Sequence, residues 1–475
     1  MTPTLGTEAN PFRVAIIGSG PSGFYAADYL LRNPELVVEV DMFDRLPTPF
    51  GLVRGGVAPD HAKIKSVTRL YDKIAACARF RFFGNVELGR DITREDLSAY
   101  YHQIIYAVGA QSDRRMGIPG EDLLGSFAAT EFVGWYNGHP DYRELQFDLS
   151  QQAVAVIGNG NVAMDVARIL ASSYEELAQT DIADYALEAL RASKVRDIYL
   201  LGRRGPAQAA YTNPEIKEMG ELAEADVIVR PEDAALDSLS ADYVANSGDR
   251  VAERNVEILR QYAEQPPRGK SRRIHMRFLV SPTELGGTNR VESITVVKNE
   301  LYVSDDGSLR PRPTDVTETI PVGLVFRSIG YKGLALPDVP FDARAGVIPN
   351  VQGRVSDPQT GTTVTGDYCV GWIKRGPSGI IGTNKPDSIE TAALMLQDAA
   401  AGRMHQPAHP EKDAIVALLR ARRIDYVTYE DWLAIDRIEQ ERGKALGRPR
   451  LKFTRIADML NALHEARRMP DPAGD

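Results

Sequence analysis

Cysteine is nearly absent from this chain: its 475 residues carry two, Cys77 and Cys369, far apart and in no CxxC pair. A dithiol redox centre needs paired thiols and an iron–sulfur cluster needs a set of thiolates, so neither is expected here. The seven histidines are scattered and form no HExxH motif. His405 and His409 flank Gln-Pro-Ala and read as loop residues. The sequence therefore predicts no metal centre. No apolar run approaches the roughly 18 residues that a membrane-spanning helix needs. Met1–Pro11 holds no basic residue and no hydrophobic stretch of the kind found in leader peptides, so the expected location is the cytoplasm. An excess of positive charge is missing too. The formal net charge is −9, which argues against nucleic acid as the main partner, because phosphate neutralisation requires a basic footprint.

The chain is instead an ordinary globular composition, long enough for about three domain-sized units, with two glycine-rich turns that each follow an apolar strand. The first reads Arg13-Val-Ala-Ile-Ile-Gly18-Ser-Gly20-Pro-Ser-Gly23 and leads into a helix over Phe24–Leu31. Such glycines let the backbone approach a pyrophosphate, and the helix points its N-terminal amides at that anion. Asp44 closes a second apolar run, Val37–Phe43, at the distance where an acid accepts hydrogen bonds from ribose hydroxyls.

The second turn reads Ala153-Val-Ala-Val-Ile-Gly158-Asn-Gly160-Asn-Val-Ala163, with alanine at the third glycine position. Its helix, Val162–Leu170, is followed by a polar, helix-like insertion from Ser172 to Arg196. The next strand, Asp197–Leu201, ends in Gly202-Arg203-Arg204-Gly205 rather than in an acid. Two guanidiniums offer planar, charge-assisted donors to a 2′-phosphate, which a carboxylate would repel. One site thus suits a dinucleotide with a free ribose hydroxyl and the other a phosphorylated ribose: FAD and NADP(H).

These fingerprints predict an α/β fold of two Rossmann-like three-layer dinucleotide-binding domains, glutathione-reductase-like, with the NADP domain inserted into the FAD domain. The apolar strand Ile104–Val108, ending at Gly109-Ala110, marks the exit from the first unit. The expected division is 1–112 for the first FAD segment, 113–327 for the NADP unit, and 328–475 for the second FAD segment with a C-terminal helical tail. Val322–Gly330 repeats the pattern of the exit strand and marks the return. Residues 300–320, rich in Asp, Gly and Pro, read as hairpins and loops. From Glu411 onward, Ala414, Ile415, Ala417, Leu418 and Leu419 fall at helical spacing and predict a packed tail.

Several longer stretches carry a family resemblance: Pro49-Phe-Gly-Leu-Val-Arg-Gly-Gly-Val-Ala-Pro-Asp-His61, Phe83-Gly-Asn-Val86, Gly158 through Arg168, Gly202-Arg-Arg-Gly-Pro206 and Val370-Gly-Trp372 through Thr383. With Gly18 through Phe24 they make the chain resemble the adrenodoxin-reductase type of ferredoxin–NADP(+) reductase in its bacterial form. The resemblance implies FAD contacts at Gly18, Gly20, Ser22, Gly23, Asp44, Leu52, Leu88, Trp372, Gly379, Ile380 and Ile381. It implies NADP contacts at Arg114, Asn159, Gly160, Asn161, Val162, Arg203, Arg204, Glu215 and Gly379. His61, in a Pro/Gly-rich loop, and Glu215 are the candidate catalytic residues. A histidine there can donate a hydrogen bond or relay a proton near neutral pH; Glu215 can approach the nicotinamide carboxamide.

The implied reaction is hydride transfer from NADPH to the flavin N5, then two single-electron transfers to an iron–sulfur ferredoxin. Between Arg250 and Arg277 eight basic residues stand against three glutamates, a composition that would steer an acidic ferredoxin. The resemblance places docking residues at Lys217, Arg250 and Arg254, with lysine at 217 where the family often has arginine. Two other readings stay open on the sequence: the NADPH-input subunit of a larger enzyme, as in glutamate synthase, and a flavin monooxygenase.

Overall fold

The computed structural model describes residues 4–468; the extreme ends of the expected first and last segments, residues 1–3 and 469–475, lie outside the described residues. Two sheets organise the chain. In the first, the strands 350–351, Arg354–Ser356, Thr363–Cys369, Gln103–Tyr106, Phe12–Ile17, Val38–Phe43 and Phe80–Phe83 lie side by side in that order. Phe12–Ile17 sits between two parallel neighbours and is buried at every position, which is why it reads as a nearly unbroken apolar run. Its one charged member, Arg13, is only 1% exposed and is paid for by an ion pair with Asp41 at 2.7 Å.

The second sheet runs Ser126–Ala128, Leu324–Arg327, Ala153–Ile157, Asp197–Leu201, Arg272–Arg277, Ala225–Val229, all parallel. Buried clusters cover both faces of each sheet, so each unit has three layers. Leu324–Arg327 is thus a strand of the second sheet, and the chain crosses back only after it. The two crossings, Ser112–Asp113 and Tyr331–Lys332, pair with each other as a short antiparallel ribbon.

Residues 300–320 depart from the expected loops. They belong largely to two long strands, Ser293–Val303 and Leu309–Pro321, of a three-stranded antiparallel sheet. Leu309–Pro321 is the edge strand of that sheet, with a single strand neighbour, and an edge tolerates the missing amides of Pro311, Pro313 and Pro321. The insertion after Ser172 resolves into two short helices, Tyr174–Leu177 and Asp184–Arg191, joined by a loop. The tail forms the helices Ala414–Ala421, Tyr429–Lys444 and Ile456–Arg468, and its Trp432, Ile435, Met459 and Leu463 enter the core beneath the first sheet. Among the described residues, no helix is long and apolar enough to cross a membrane.

Candidate functional site

Each fingerprint becomes a strand, a glycine turn and a helix N-terminus. Gly18 has φ +103°, and a Cβ there would lie 2.6 Å from the Ala107 carbonyl oxygen; at Gly23 it would lie 2.5 Å from the Gly18 oxygen. Above Gly20 a Cβ would meet nothing within 4 Å, so the mouth of the turn is open to a ligand. Asp44 does more than its spacing announces. Its Oδ2 accepts from the Ser19 amide at 3.0 Å and hydroxyl at 2.5 Å, and its Oδ1 accepts from the Leu46 amide at 2.9 Å. The carboxylate therefore braces the turn, and each oxygen keeps acceptor capacity for a ribose.

Around this turn the structure gathers several expected flavin residues. Phe50, with φ +85°, and Gly51 fold back so that Gly51 abuts Gly20, bringing Leu52, 42% exposed, beside the cradle. Ser22 lies against Gly371, where a Cβ would sit 2.1 Å from the Ser22 Oγ. Trp372 opens a one-turn helix, Trp372–Arg375, rather than a bare turn. It stacks on Tyr331 with centroids 5.2 Å apart and donates its indole N–H to the Ser378 oxygen at 3.2 Å. Gly379 has φ +80°, and Ile380 beside it is 61% exposed, a large apolar side chain facing outward from a glycine-rich loop. Leu88 is different: it is buried in the cluster that holds Ile92 and Val339.

In the second fingerprint a Cβ at Gly158, φ +136°, would lie 2.2 Å from the Ser328 oxygen, whereas Gly160 again faces open space. The turn is stapled to residues 210–212: the Asn159 oxygen accepts from the Ala210 amide at 2.9 Å and Asn161 Oδ1 from the Thr212 amide at 2.9 Å. Arg203 and Arg204 follow the neighbouring strand. Their carbonyls are pinned by the Asn299 side-chain amide at 2.8 Å and the Leu279 N–H at 3.1 Å, while neither guanidinium has an ion-pair partner among the described residues. Burial, and then the charge of Arg203, pulls the Arg204 pKa down. Two cations held together without a counter-ion are the donor set a phosphate monoester needs. Arg114 stands exposed at the crossing, its N–H donating to the Gly330 oxygen at 3.0 Å.

Where the units meet, a charged cluster assembles around Arg168. Its guanidinium reaches Asp60 at 2.7 Å, Asp165 at 2.6 Å and Glu215 at 2.9 Å. His61 caps the one-turn helix Ala62–Lys65 and places Nε2 3.0 Å from Glu218 Oε2, with Nδ1 3.8 Å from Asp165 and 3.9 Å from Glu215. Glu215 is 6% exposed in the first turn of the helix Asn213–Glu221. Burial, reinforced by the charge of Asp165 and opposed by Arg168 and His61, pushes its carboxyl up to about 7. Burial also raises Asp165, while Arg168 outweighs burial at Asp60 and lowers it. The structure thus brings the two expected catalytic residues together and adds Asp165, Arg168 and Glu218. The spacing of Asp165 and Arg168, and of Glu215 and Glu218, three apart on single helices, is the signal that was available for finding them. The ligand atoms of His61, Glu215 and Glu218 lie within 4.8 Å of one another. The guanidinium beside Glu215 opposes a further cation there.

The basic run Arg250–Arg277 does not form one surface. Arg277 is buried against Asp233 and Glu318, Arg273 pairs with Asp197, and Arg272 and Lys270 turn inward to backbone carbonyls. A helix followed by a buried strand points these side chains in different directions. Lys217 and Arg250 stay exposed, and Arg254 pairs with Glu257 at 2.5 Å on its own helix.

Residues 12–201 match the model of the pyridine nucleotide-disulphide oxidoreductase family. The described cysteines are free, Cys77 half-buried and Cys369 buried, so the match lies in the nucleotide-binding architecture. Over 95% of its length the chain is 46% identical to the NADPH-ferredoxin reductase FprA of Mycobacterium leprae, covering 98% of that protein. It is 41% identical to the human mitochondrial NADPH:adrenodoxin oxidoreductase over 96% of this chain and 93% of that one. Among solved structures, Mycobacterium tuberculosis FprA in complex with NADPH superposes with a TM-score of 0.90 at 44% identity, over 96% of this chain and 100% of that chain.

Proposed function

Because the chain belongs to the family of NADPH-ferredoxin reductases and adrenodoxin reductases, we propose that it passes electrons from NADPH through FAD to an iron–sulfur ferredoxin. It is an oxidoreductase and a flavoprotein that uses FAD and NADP(H). The observation that carries the reading is the contrast between its two turns. One is braced by Asp44 and opens at Gly20; the other opens at Gly160 beside the unpaired Arg203 and Arg204. Bound FAD supplies what a nicotinamide cannot, accepting electrons as a pair and releasing them singly.

The rest is done by side chains. Ser22, Asp44, Leu52, Leu88, Trp372 and the glycine loop Gly379–Ile381 would hold FAD. Arg114, Asn159–Val162, Arg203, Arg204, Glu215 and Gly379 would hold NADP(H). His61 and Glu215 orient the nicotinamide end. With its carboxyl pushed up to about 7, Glu215 holds a proton near neutral pH and can donate its O–H to a carboxamide oxygen. Arg168 fixes that carboxyl from the other side. The domain limits belong to the same reading. We place them at 112/113 and 327/328, supported by the ribbon where the chain crosses between sheets.

The partner is read as an acidic ferredoxin docking on Lys217, Arg250 and Arg254. Asn213 donates to the Val251 oxygen at 3.0 Å, which sets the helix of Lys217 against the start of the helix bearing the two arginines. The seat of this exchange is read as the cytoplasm. The test is ferredoxin reduction by the purified flavoprotein with NADPH against NADH. Dependence on NADPH and on Arg203 and Arg204 supports the reading; equal use of both nucleotides contradicts it.

A further inference from the structure

The insertion after Ser172 has no part in the chemistry above, yet its loop reaches the short helix that follows His61. Asp181 on that loop is 7% exposed and pairs with Lys65 Nζ at 2.6 Å and Lys452 Nζ at 3.2 Å. Lys65 ends the one-turn helix Ala62–Lys65, and His61 caps its start; the Lys65 N–H donates to the His61 oxygen at 3.2 Å. That helix has no buried residue, and a single turn has no stability of its own. Packing therefore does not set its position. What holds it is a set of polar tethers: Asp60, just before it, on Arg168, His61 on Glu218, and at its far end Lys65 on Asp181.

We infer that Asp181 is a positioning residue for His61, anchoring through Lys65 the short helix that aims the imidazole at Glu215 and Glu218. Asp181 is itself fixed. Arg448 Nε of the tail donates to the neighbouring Thr180 oxygen at 3.1 Å, and Arg448 also bonds the Ile182 oxygen and Asp184. Lys452 Nζ, besides Asp181, donates to the Arg54 oxygen at 3.3 Å and the Asn137 oxygen at 3.2 Å. The other charges around this Asp181–lysine group are Arg54, Arg450 and Asp60. Burial alone would raise the Asp181 carboxyl, but the two lysines hold it well below the usual carboxylate range.

The inference rests on the proposed role of His61, and the experiment separates the two. In the FAD-loaded enzyme, Lys65→Met removes the tether and leaves Asp181 paired with Lys452, so the fold keeps a balanced pair. Lys65→Arg restores the charge. Lys63→Met, exposed and without an ion pair among the described residues, is the control. Histidine ring resonances, with His61 assigned from His61→Gln, are expected to move for His61 in Lys65→Met and not in Lys63→Met. Hydride transfer from NADPH should slow by about tenfold in Lys65→Met, recover in Lys65→Arg, and fall no further when Lys65→Met is added to His61→Gln. An unmoved His61 resonance in Lys65→Met, or an equal loss in the His61→Gln background, overturns the inference. A wild-type rate in His61→Gln overturns instead the role given to His61.

Discussion

In the proposed reading, nucleotide choice turns on Arg203 and Arg204. Both lie unpaired beside the second glycine turn, and each charge-assisted bond to a phosphate is worth about 1.5–3 kcal/mol. Replacing both with alanine should weaken NADPH binding by at least about a hundredfold and leave NADH binding nearly unchanged, as read by titration of each nucleotide. Equal losses would contradict the assignment. Glu215 makes a pH prediction. Its folded value, about 7, lies above the ordinary 4.5, so ionising it costs stability. The wild type carries no such cost below about pH 4.5, loses stability as pH rises toward 7, and carries the whole cost above that. Glu215→Gln should therefore melt higher than wild type at about pH 8, by at most about 3 kcal/mol, and match it at about pH 4. A difference independent of pH would refute the raised value. At this scale the arginine pair was legible, because it directly follows a nucleotide-fold strand. The grouping of His61 with Asp165 and Glu218 was not: the three-residue spacings mark charged faces on two helices, but only the contact between the two units brings those faces to His61.

Among the elements, the glycine turns separate structural need from binding need. At Gly158 a side chain would drive its Cβ to 2.2 Å from the Ser328 oxygen, in a backbone region that favours glycine. At Gly160 a Cβ enters empty space. Gly158→Ala should destabilise the fold by roughly 2 kcal/mol or more, whereas Gly160→Ala should keep the wild-type melting temperature and lose NADPH affinity. Thermal melts alongside nucleotide titration check this, and a stability loss at Gly160 would contradict it. Strands buried on both faces, such as Phe12–Ile17 and Ala153–Ile157, were legible because that burial leaves a nearly unbroken apolar run. Leu309–Pro321 was not. Its prolines and acids suggest a loop, and only its place at a sheet edge explains how they fit a strand.

For the molecule as a whole, the two-unit plan was visible in the order of the fingerprints, but the role of the tail was not. Arg448 and Lys452 clamp the insertion loop while Glu439 grips Arg54 near the flavin turn, pairings that link residues hundreds of positions apart. Docking is also a property of the whole surface. With net charge −9, an acidic partner is repelled except at local basic faces, so ferredoxin reduction should slow as salt rises, and Lys217→Glu with Arg250→Glu should slow it at low salt and reverse that dependence. Reduction rates indifferent to salt would remove the docking face. The central claim, that NADPH and FAD sites cooperate in one chain, is tested most directly by mixing the purified protein anaerobically with NADPH and then with ferredoxin. The account predicts a yellow protein whose flavin absorbance bleaches with NADPH, far more slowly with NADH, and returns as ferredoxin is reduced; a colourless protein, or a flavin that NADPH leaves oxidised, would contradict it.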